Sequence, residues 1–322
     1  ELPYPFSAAR AADFARAGVE IAAAAGADVL AFGSESGDLA ALETRRARLD
    51  SAELRARAAA LAAADRTLGL TRAAARAYEE LYGAEDLAAP NDILAVEYLR
   101  ALSRLESKIE PLVIPRVGAY HGGKGGYPSA SELRRDFAAR GIDAFAGRMP
   151  DGAFAAFRTS VGAGLCPADV GRLDAALLLR LAALAADRTA KEALAGDRAA
   201  LERLLAAAPG AHTRAELLER AASKRCTDAS LRRAALYALL GTTADEIAAP
   251  VAYTRLLAAN ARGCAALGRV QDGFVLTKPA DAGKLRDGGA QFAKTAAAER
   301  AFALCLAGKY DYLRTSPHIV RE

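Results

Sequence analysis

Five short stretches carry groups suited to holding a nucleotide, an anion or a nucleic-acid backbone. In Gly33-Ser34-Glu35-Ser36-Gly37-Asp38, Gly33 has no Cβ, so a base or ribose could approach its backbone, unless the glycine only serves the turn. In Pro90-Asn91-Asp92-Ile93-Leu94, the Asn91 amide could read an adenine edge or simply cap a helix. Arg116 offers planar donors to a phosphate or carboxylate, the plainer alternative being a solvated arginine. In Ser129-Ala130-Ser131-Glu132-Leu133-Arg134, a helix start presents free N–H groups and the hydroxyls of Ser129 and Ser131, with the Arg134 guanidinium close behind. An ordinary capping box with a surface arginine has the same spelling. Lys224-Arg225 followed by Arg232-Arg233 concentrates positive charge that could grip RNA or merely face water. Neither His121 nor Cys226 has a base or nucleophile beside it in sequence, so both are read as structural.

These stretches need elements to position them. Ser7 is a plausible cap for a helix running to about Ala25 and stopped by Gly26, with Phe14, Val19 and Ile21 inward. The apolar run Val29–Phe32 predicts a short buried strand whose far end is the Gly33 loop. A long helix is expected from Asp38 towards Ala64, another from near Asn91, then a strand at Leu112–Ile114 running into Pro115-Arg116. A helix begun at Ser129–Glu132 should end at Gly141. Strands alternating with helices predict a parallel sheet, and ligands of such sheets bind beyond the carboxyl ends of the strands, where Gly33 and Arg116 stand. From about Pro150 the reading is helical: Leu173–Ala195, Asp197–Ala208, Arg214–Ala222, Ala229–Leu240 and Thr254–Ala266. The fold class expected is α/β, with a Rossmann-like domain over 1–150 and a mainly helical domain over 151–322.

Composition excludes several classes. The 322 residues are 52% hydrophobic and 25% charged, which is globular rather than disordered. The net charge of +4 neither demands nor excludes nucleic acid. Cys166, Cys226, Cys264 and Cys305 are dispersed, and His121, His212 and His318 form no ligand pair, which speaks against a zinc site or disulfide framework. Apolar runs are interrupted by charge before reaching bilayer length, and no leader-like segment opens the chain, so the cytoplasm is expected. The chain opens at Glu1 and its only methionine is Met149, which leads us to expect native sequence upstream.

Taken in order, the segments Glu1-Leu2-Pro3, Phe32–Asp38, Pro90–Leu94, Arg116-Val117-Gly118-Ala119-Tyr120-His121, Ser129–Arg134, Lys224-Arg225 and Ser316-Pro317-His318-Ile319 resemble the bacterial tRNA(Met) cytidine acetate ligase family, over essentially the whole chain. The resemblance implies a nucleotidyltransferase-type Rossmann-like domain followed by a helical domain. It implies ATP as a substrate, accompanied by Mg2+, acetate as the second substrate, and elongator tRNA(Met) as the partner that receives the acetyl group on its wobble cytidine. Neither a protein partner nor a membrane is implied. Carried over by position, Gly33, Asn91, Arg116 and Val117 would contact ATP. Ser129, Ser131 and Arg134 would bind its phosphates, and Lys224 and Arg225 would face tRNA, with Arg232 in the same basic cluster. In the family a first strand and a histidine loop precede the Glu-Leu-Pro segment, and no such loop occurs here. The resemblance therefore implies an N-terminally truncated and inactive chain, with the catalytic residues in the segment it lacks. Cys226 also replaces an expected aromatic residue, and the glycine-rich loop after His121 is unusual. Two other readings use the same residues: a non-catalytic RNA-binding relative of the fold, and a nucleotidyltransferase acting on a small molecule.

Overall fold

The computed structural model describes residues 1–65, 68, 70–83, 89–115, 130–223, 226–270 and 273–320. A 3-10 turn at Phe6–Ala8 precedes α1 (Ala11–Ala24), so Arg10 rather than Ser7 is the N-cap. Tertiary packing decides this. Phe6 is fully buried against Ala17 and Val251, with Leu2, Ile21 and Phe274 around them, and only a tight turn delivers its ring there. The expected stop at Gly26 holds, with Gly26 at φ +72°.

β1 (Val29–Ser34) is joined to its partner strand through α2 (Leu39–Asp50), α3 (Ala52–Ala64), α4 (Leu70–Tyr82) and α5 (Pro90–Arg104). The helix expected over 38–64 breaks at Ser51, whose backbone is extended and whose hydroxyl accepts from Leu54 N at 3.1 Å. A serine side chain that satisfies an orphan N–H competes with continuing the helix, and here it wins. α3 and α4 pack together through Leu54, Ala77 and Tyr78. β2 (Glu110–Pro115) then runs parallel to β1, in register from Val29 opposite Glu110 to Ser34 opposite Pro115.

Helices cover one face of this strand pair. Phe32, Leu30 and Val113 pack on Ala15 and Val19 of α1, Leu42 of α2, and Ala95, Val96, Leu99 and Leu102 of α5. On the other face Val29, Leu112 and Ile114 are about half exposed, and Ala31 and Gly33 lie open between them. The expectation of a buried strand thus holds for one face only.

α6 (Ala130–Arg140) and α7 (Asp151–Gly162) are bridged by the turn Gly141–Phe145 and held by the rings of Phe137, Phe145 and Phe157, whose centroids lie 5.1–5.7 Å apart. Next come α8 (Asp174–Ala186), α9 (Arg188–Ala193), α10 (Arg198–Ala207), α11 (Arg214–Ala221), α12 (Asp228–Leu240) and α13 (Ala244–Ala248). Their shared core includes Leu177, Leu181, Leu184, Leu201, Leu204, Leu217 and Leu231. The single helix expected over 173–195 is interrupted at Asp187, which accepts from Ala190 N at 2.9 Å and so caps α9.

The helix expected over Thr254–Ala266 is replaced by strands. β3 (Thr254–Arg255) and β4 (Ala258–Ala259) come first, and only α14 (Ala261–Leu267) is helical. Beyond it lie β5 (Val275–Leu276), α15 (Gly289–Leu304) and β6 (His318–Ile319), with β5 parallel to β3 and β6 parallel to β4. The buried Arg255 explains the difference: its guanidinium sits 4.6 Å over the Tyr312 ring and bonds the Thr315 hydroxyl. With the N–H groups of Thr254 and Leu256 bonded to Phe274 O and Leu276 O at 2.9 Å, these tertiary contacts outweigh local helix propensity.

The start of the chain is woven into this last part. The Tyr4 hydroxyl pairs with that of Thr242, Thr295 Oγ1 donates to Tyr4 O at 3.1 Å, and Arg16 donates to the carbonyls of Ile247 and Ala249 at 2.7 and 3.1 Å. Among the described residues no helix is long and apolar enough to cross a membrane.

Candidate nucleotide site at the strand ends

Because Gly33 is opposite Ile114 and Ser34 opposite Pro115, β1 and β2 end level with each other. Their carboxyl ends form one rim, the place where open parallel sheets take ligands. Two glycines stand in the loop after β1, for different reasons. Gly37 has φ +65°, and a Cβ on it would meet Pro115 at 3.1 Å, so both conformation and contact require glycine. Gly33 lies in ordinary strand conformation on the open face, and a Cβ there would meet nothing nearer than Ile114 O at 4.0 Å. Among the described residues, neither a left-handed backbone nor a close contact requires a glycine at position 33.

The loop is locked to the start of α5 by two carboxylates. Asp92, 5% exposed, accepts from Glu35 N at 2.9 Å, from Ser36 N at 3.3 Å and from the buried Ser34 hydroxyl. In return Glu35 accepts from Asn91 N at 3.2 Å, Asn91 Nδ2 at 2.7 Å and Asp92 N at 2.8 Å. The local sequence explains why. α5 opens on Pro90, which lacks an N–H, and its N-cap Ala89 has no side chain to offer, so the next orphan N–H groups take their acceptor from another element. Asp38 caps α2 by accepting from Ala40 N and Ala41 N at 2.9 and 3.1 Å, which fixes the far end of the loop.

α2 is held against α5 behind the loop. Arg100 Nε and Arg104 Nη2 donate to Asp50 Oδ1 at 3.0 and 2.8 Å. Burial pushes the Asp50 carboxyl up, and the two guanidiniums outweigh it, leaving the group below its ordinary range. A cleft of about 280 Å3 opens beside the loop, lined by Ser36, Leu42, Thr44, Arg45, Arg48 and Asp92.

Gly33 and Asn91 are therefore brought together, through Glu35 and Asp92. Ser131 and Arg134 are exposed near the start of α6. Arg116, Val117 and Ser129, and with Ser129 the proposed capping box, lie outside the described residues. So do Lys224 and Arg225. Arg232, on α12, is 62% exposed and paired with Asp228 at 2.7 Å, an exposed contact worth little and easily exchanged for another anion. It also borders a cleft of about 160 Å3 with Val170, Asp174, Leu177, Arg214 and Leu236.

Sequence reasoning gave Ser34, Glu35 and Asp92 no role of their own. Each stands in a motif singled out above, but the signal is reciprocal pairing across 57 residues, which neither motif shows alone. Among the described residues no group of three His, Cys, Asp or Glu side chains could hold a metal ion. What the described residues place at this rim is backbone, amide and hydroxyl groups.

The profile of the HIGH Nucleotidyl Transferase family matches residues 1–312. A tRNA(Met) cytidine acetate ligase of Syntrophotalea carbinolica is 35% identical over 287 residues, covering 83% of this chain and 66% of the relative. One from Listeria monocytogenes is 30% identical over 280 residues, covering 82% and 67%. This chain thus spans about two thirds of the length of these relatives. The structure of Thermotoga maritima TmcAL bound with alpha-thio ATP superposes with a TM-score of 0.84 at 21% identity, over 100% of this chain and 84% of that one. The apo form of the same protein gives a TM-score of 0.86. At that identity the likeness concerns the fold, which is the nucleotidyltransferase-type α/β fold with a mainly helical continuation.

Proposed function

The chain belongs to the HIGH Nucleotidyl Transferase family, and we propose that it is the ATP- and tRNA-handling part of a tRNA(Met) cytidine acetate ligase. The observation that carries this reading is Gly33, a glycine on the open sheet face that no backbone angle or contact among the described residues requires, at the rim where a nucleotide would lie. ATP lies across the ends of β1 and β2, against the Gly33 backbone and Asn91, with Arg116 and Val117 beside it. The start of α6, with Ser129, Ser131 and Arg134, takes the phosphates, since a helix N-terminus attracts negative charge. Mg2+ enters with ATP as the counter-ion of its phosphates, and no side chain of this chain is assigned to it.

The reaction needs no protein nucleophile. An acetate oxygen attacks the α-phosphorus of ATP, the bond to the bridging oxygen breaks, and pyrophosphate leaves with acetyl-adenylate formed. The N4 amine of the wobble cytidine then attacks the acetyl carbonyl, AMP departs, and the amine gives up a proton. Preorganised donors around the α-phosphate stabilise the charge that develops there. Residues 1–150 bind ATP in this reading. Residues 151–322 bind elongator tRNA(Met), through Lys224, Arg225 and Arg232, in the cytoplasm.

The test is transfer of labelled acetate to tRNA(Met) with ATP, run with this chain and with a version carrying native sequence upstream of Glu1. Label on the tRNA from either supports the ligase, and none from either favours a non-catalytic RNA-binding relative. In an active protein Arg116→Ala lowers adenylate formation, whereas Lys224→Ala with Arg225→Ala lowers transfer alone. Equal loss of both steps in the second variant would refute the division of labour.

A further inference from the structure

The Asn91 side chain can turn either end of its amide outward, and which end faces a ligand decides what it recognises. Here the choice is settled by chemistry. Asn91 Nδ2 is 2.7 Å from Glu35 Oε1, and an ionised carboxylate only accepts, so the NH2 end must face Glu35 and Oδ1 must face away. Glu35 is itself held at both ends. Its backbone N–H donates to Asp92 at 2.9 Å, and its carboxylate accepts from the backbone N–H groups of Asn91 and Asp92 at 3.2 and 2.8 Å. A helix cap needs only those two backbone bonds. The third, to the Asn91 side chain, adds nothing to capping and fixes an orientation.

We propose that Glu35 is the positioning residue that sets nucleobase choice at the strand-end site. By holding the Asn91 NH2 group inward, it leaves Oδ1 as an acceptor for the exocyclic amine of adenine. Guanine carries a carbonyl at that position and meets Oδ1 acceptor against acceptor. A site built around one hydrogen-bond polarity rejects the wrong polarity because both groups stay unpaired. The inference rests on the proposed ATP site and names what in this chain would distinguish ATP from GTP.

The experiment reverses the polarity of the pair. Dissociation constants for ATP and GTP are measured by calorimetry on the intact chain and three variants, each checked for an unchanged circular-dichroism spectrum. In Glu35→Gln one carboxylate oxygen becomes an NH2; turned towards Asn91 it gives up the bond from Asn91 N and donates where the carboxylate could only accept, Asn91 is free to turn over, and the preference for ATP falls roughly 10-fold or more. In Asn91→Asp a carboxylate faces Glu35, and ATP binding weakens by a similar factor. Combining the two substitutions puts a donor on residue 35 and acceptors on residue 91, with an oxygen still facing outward. ATP preference then returns to within roughly 3-fold of the parent chain, whereas two independent lesions would multiply. Should Glu35→Gln fail to fold, Asn91→Ala keeps both backbone caps and brings the ATP-to-GTP ratio near one. An unchanged ratio in Glu35→Gln, or a double variant worse than either single one, overturns the role of Glu35 while leaving the ATP site standing. A parent chain that binds neither nucleotide overturns the ATP site, and this inference with it.

Discussion

Replacing Gly33 with alanine separates the needs of the fold from those of the site. The new methyl carbon stands about 1.5 Å off Cα on the open sheet face. Among the described residues it meets no atom nearer than Ile114 O at 4.0 Å, and the strand backbone is one that alanine adopts freely. Glycine in a strand costs about 0.5–1 kcal/mol relative to alanine, so Gly33→Ala stabilises by that amount and raises Tm by about 1–4 °C. A ligand lying on that backbone is displaced by the same methyl. Forcing one into a filled contact costs about 1–3 kcal/mol, which is about 5- to 150-fold in affinity. The assay is therefore paired: thermal melts without ligand, and calorimetric titration with ATP. Stability rising while affinity falls is the expected pattern. Unchanged ATP affinity would refute the placement of nucleotide over Gly33, and a lowered Tm would refute the claim that the fold does not need this glycine.

Three further outcomes follow from contacts already described. Asp92→Ala takes the acceptor from the N–H groups of Glu35 and Ser36 and leaves the buried Ser34 hydroxyl only the Ser36 hydroxyl to donate to, so urea unfolding shows a loss of about 3 kcal/mol; a loss under about 1 kcal/mol would mean that the loop holds itself. Asp50, held below its ordinary value of 3.8, contributes stability that is present above that value and lost as pH falls through the folded one. Asp50→Asn accordingly costs about 1 kcal/mol at neutral pH, a difference that narrows in urea midpoints below pH 3.8 and closes only once pH has fallen through the lowered folded-state value; a difference that does not narrow at all refutes the pairing. Burial, then the Glu1 charge, raise the Glu299 carboxyl above its ordinary 4.5, with the Tyr310 hydroxyl only partly offsetting them. Its ionisation therefore removes stability as pH rises through the raised value, so Glu299→Gln melts higher than the parent at pH 7 and equally below pH 4.5; a lower melt at pH 7 would reverse the sign of that argument.

The helix starts that carry their own caps were legible. Asp38 and Asp197 each bond two N–H groups just ahead of them, and the helices they open begin where expected. Ser51 and Asp187 went unnoticed because strong helix formers flank them on both sides, and only the side-chain bond shows the break. The stretch at Thr254 was misread for a different reason: nothing nearby says that Arg255 must reach Tyr312 and Thr315. The site divides the same way. Gly33 and Arg116 could be marked from the rule that parallel strands present ligands at their carboxyl ends, and Asn91 from its amide near a helix start. Glu35 and Asp92 acquire meaning only when folding brings together two loops that local patterning treats as unrelated.

The weaving of residues 1–10 into the far end of the chain has a consequence for biosynthesis. Tyr4 finds its partners at Thr242 and Thr295, 238 and 291 residues downstream. At roughly 5–20 residues added per second, a ribosome needs about 10 to 60 s to make those partners. Through that interval Leu2, Tyr4 and Phe6 trail from the nascent chain without their cover, while α1, β1, α5 and β2 already have each other. The strand pair and its helices can thus form before those partners have been made. Closure of Tyr4 onto Thr242 and Thr295 is a later step, timed by elongation itself.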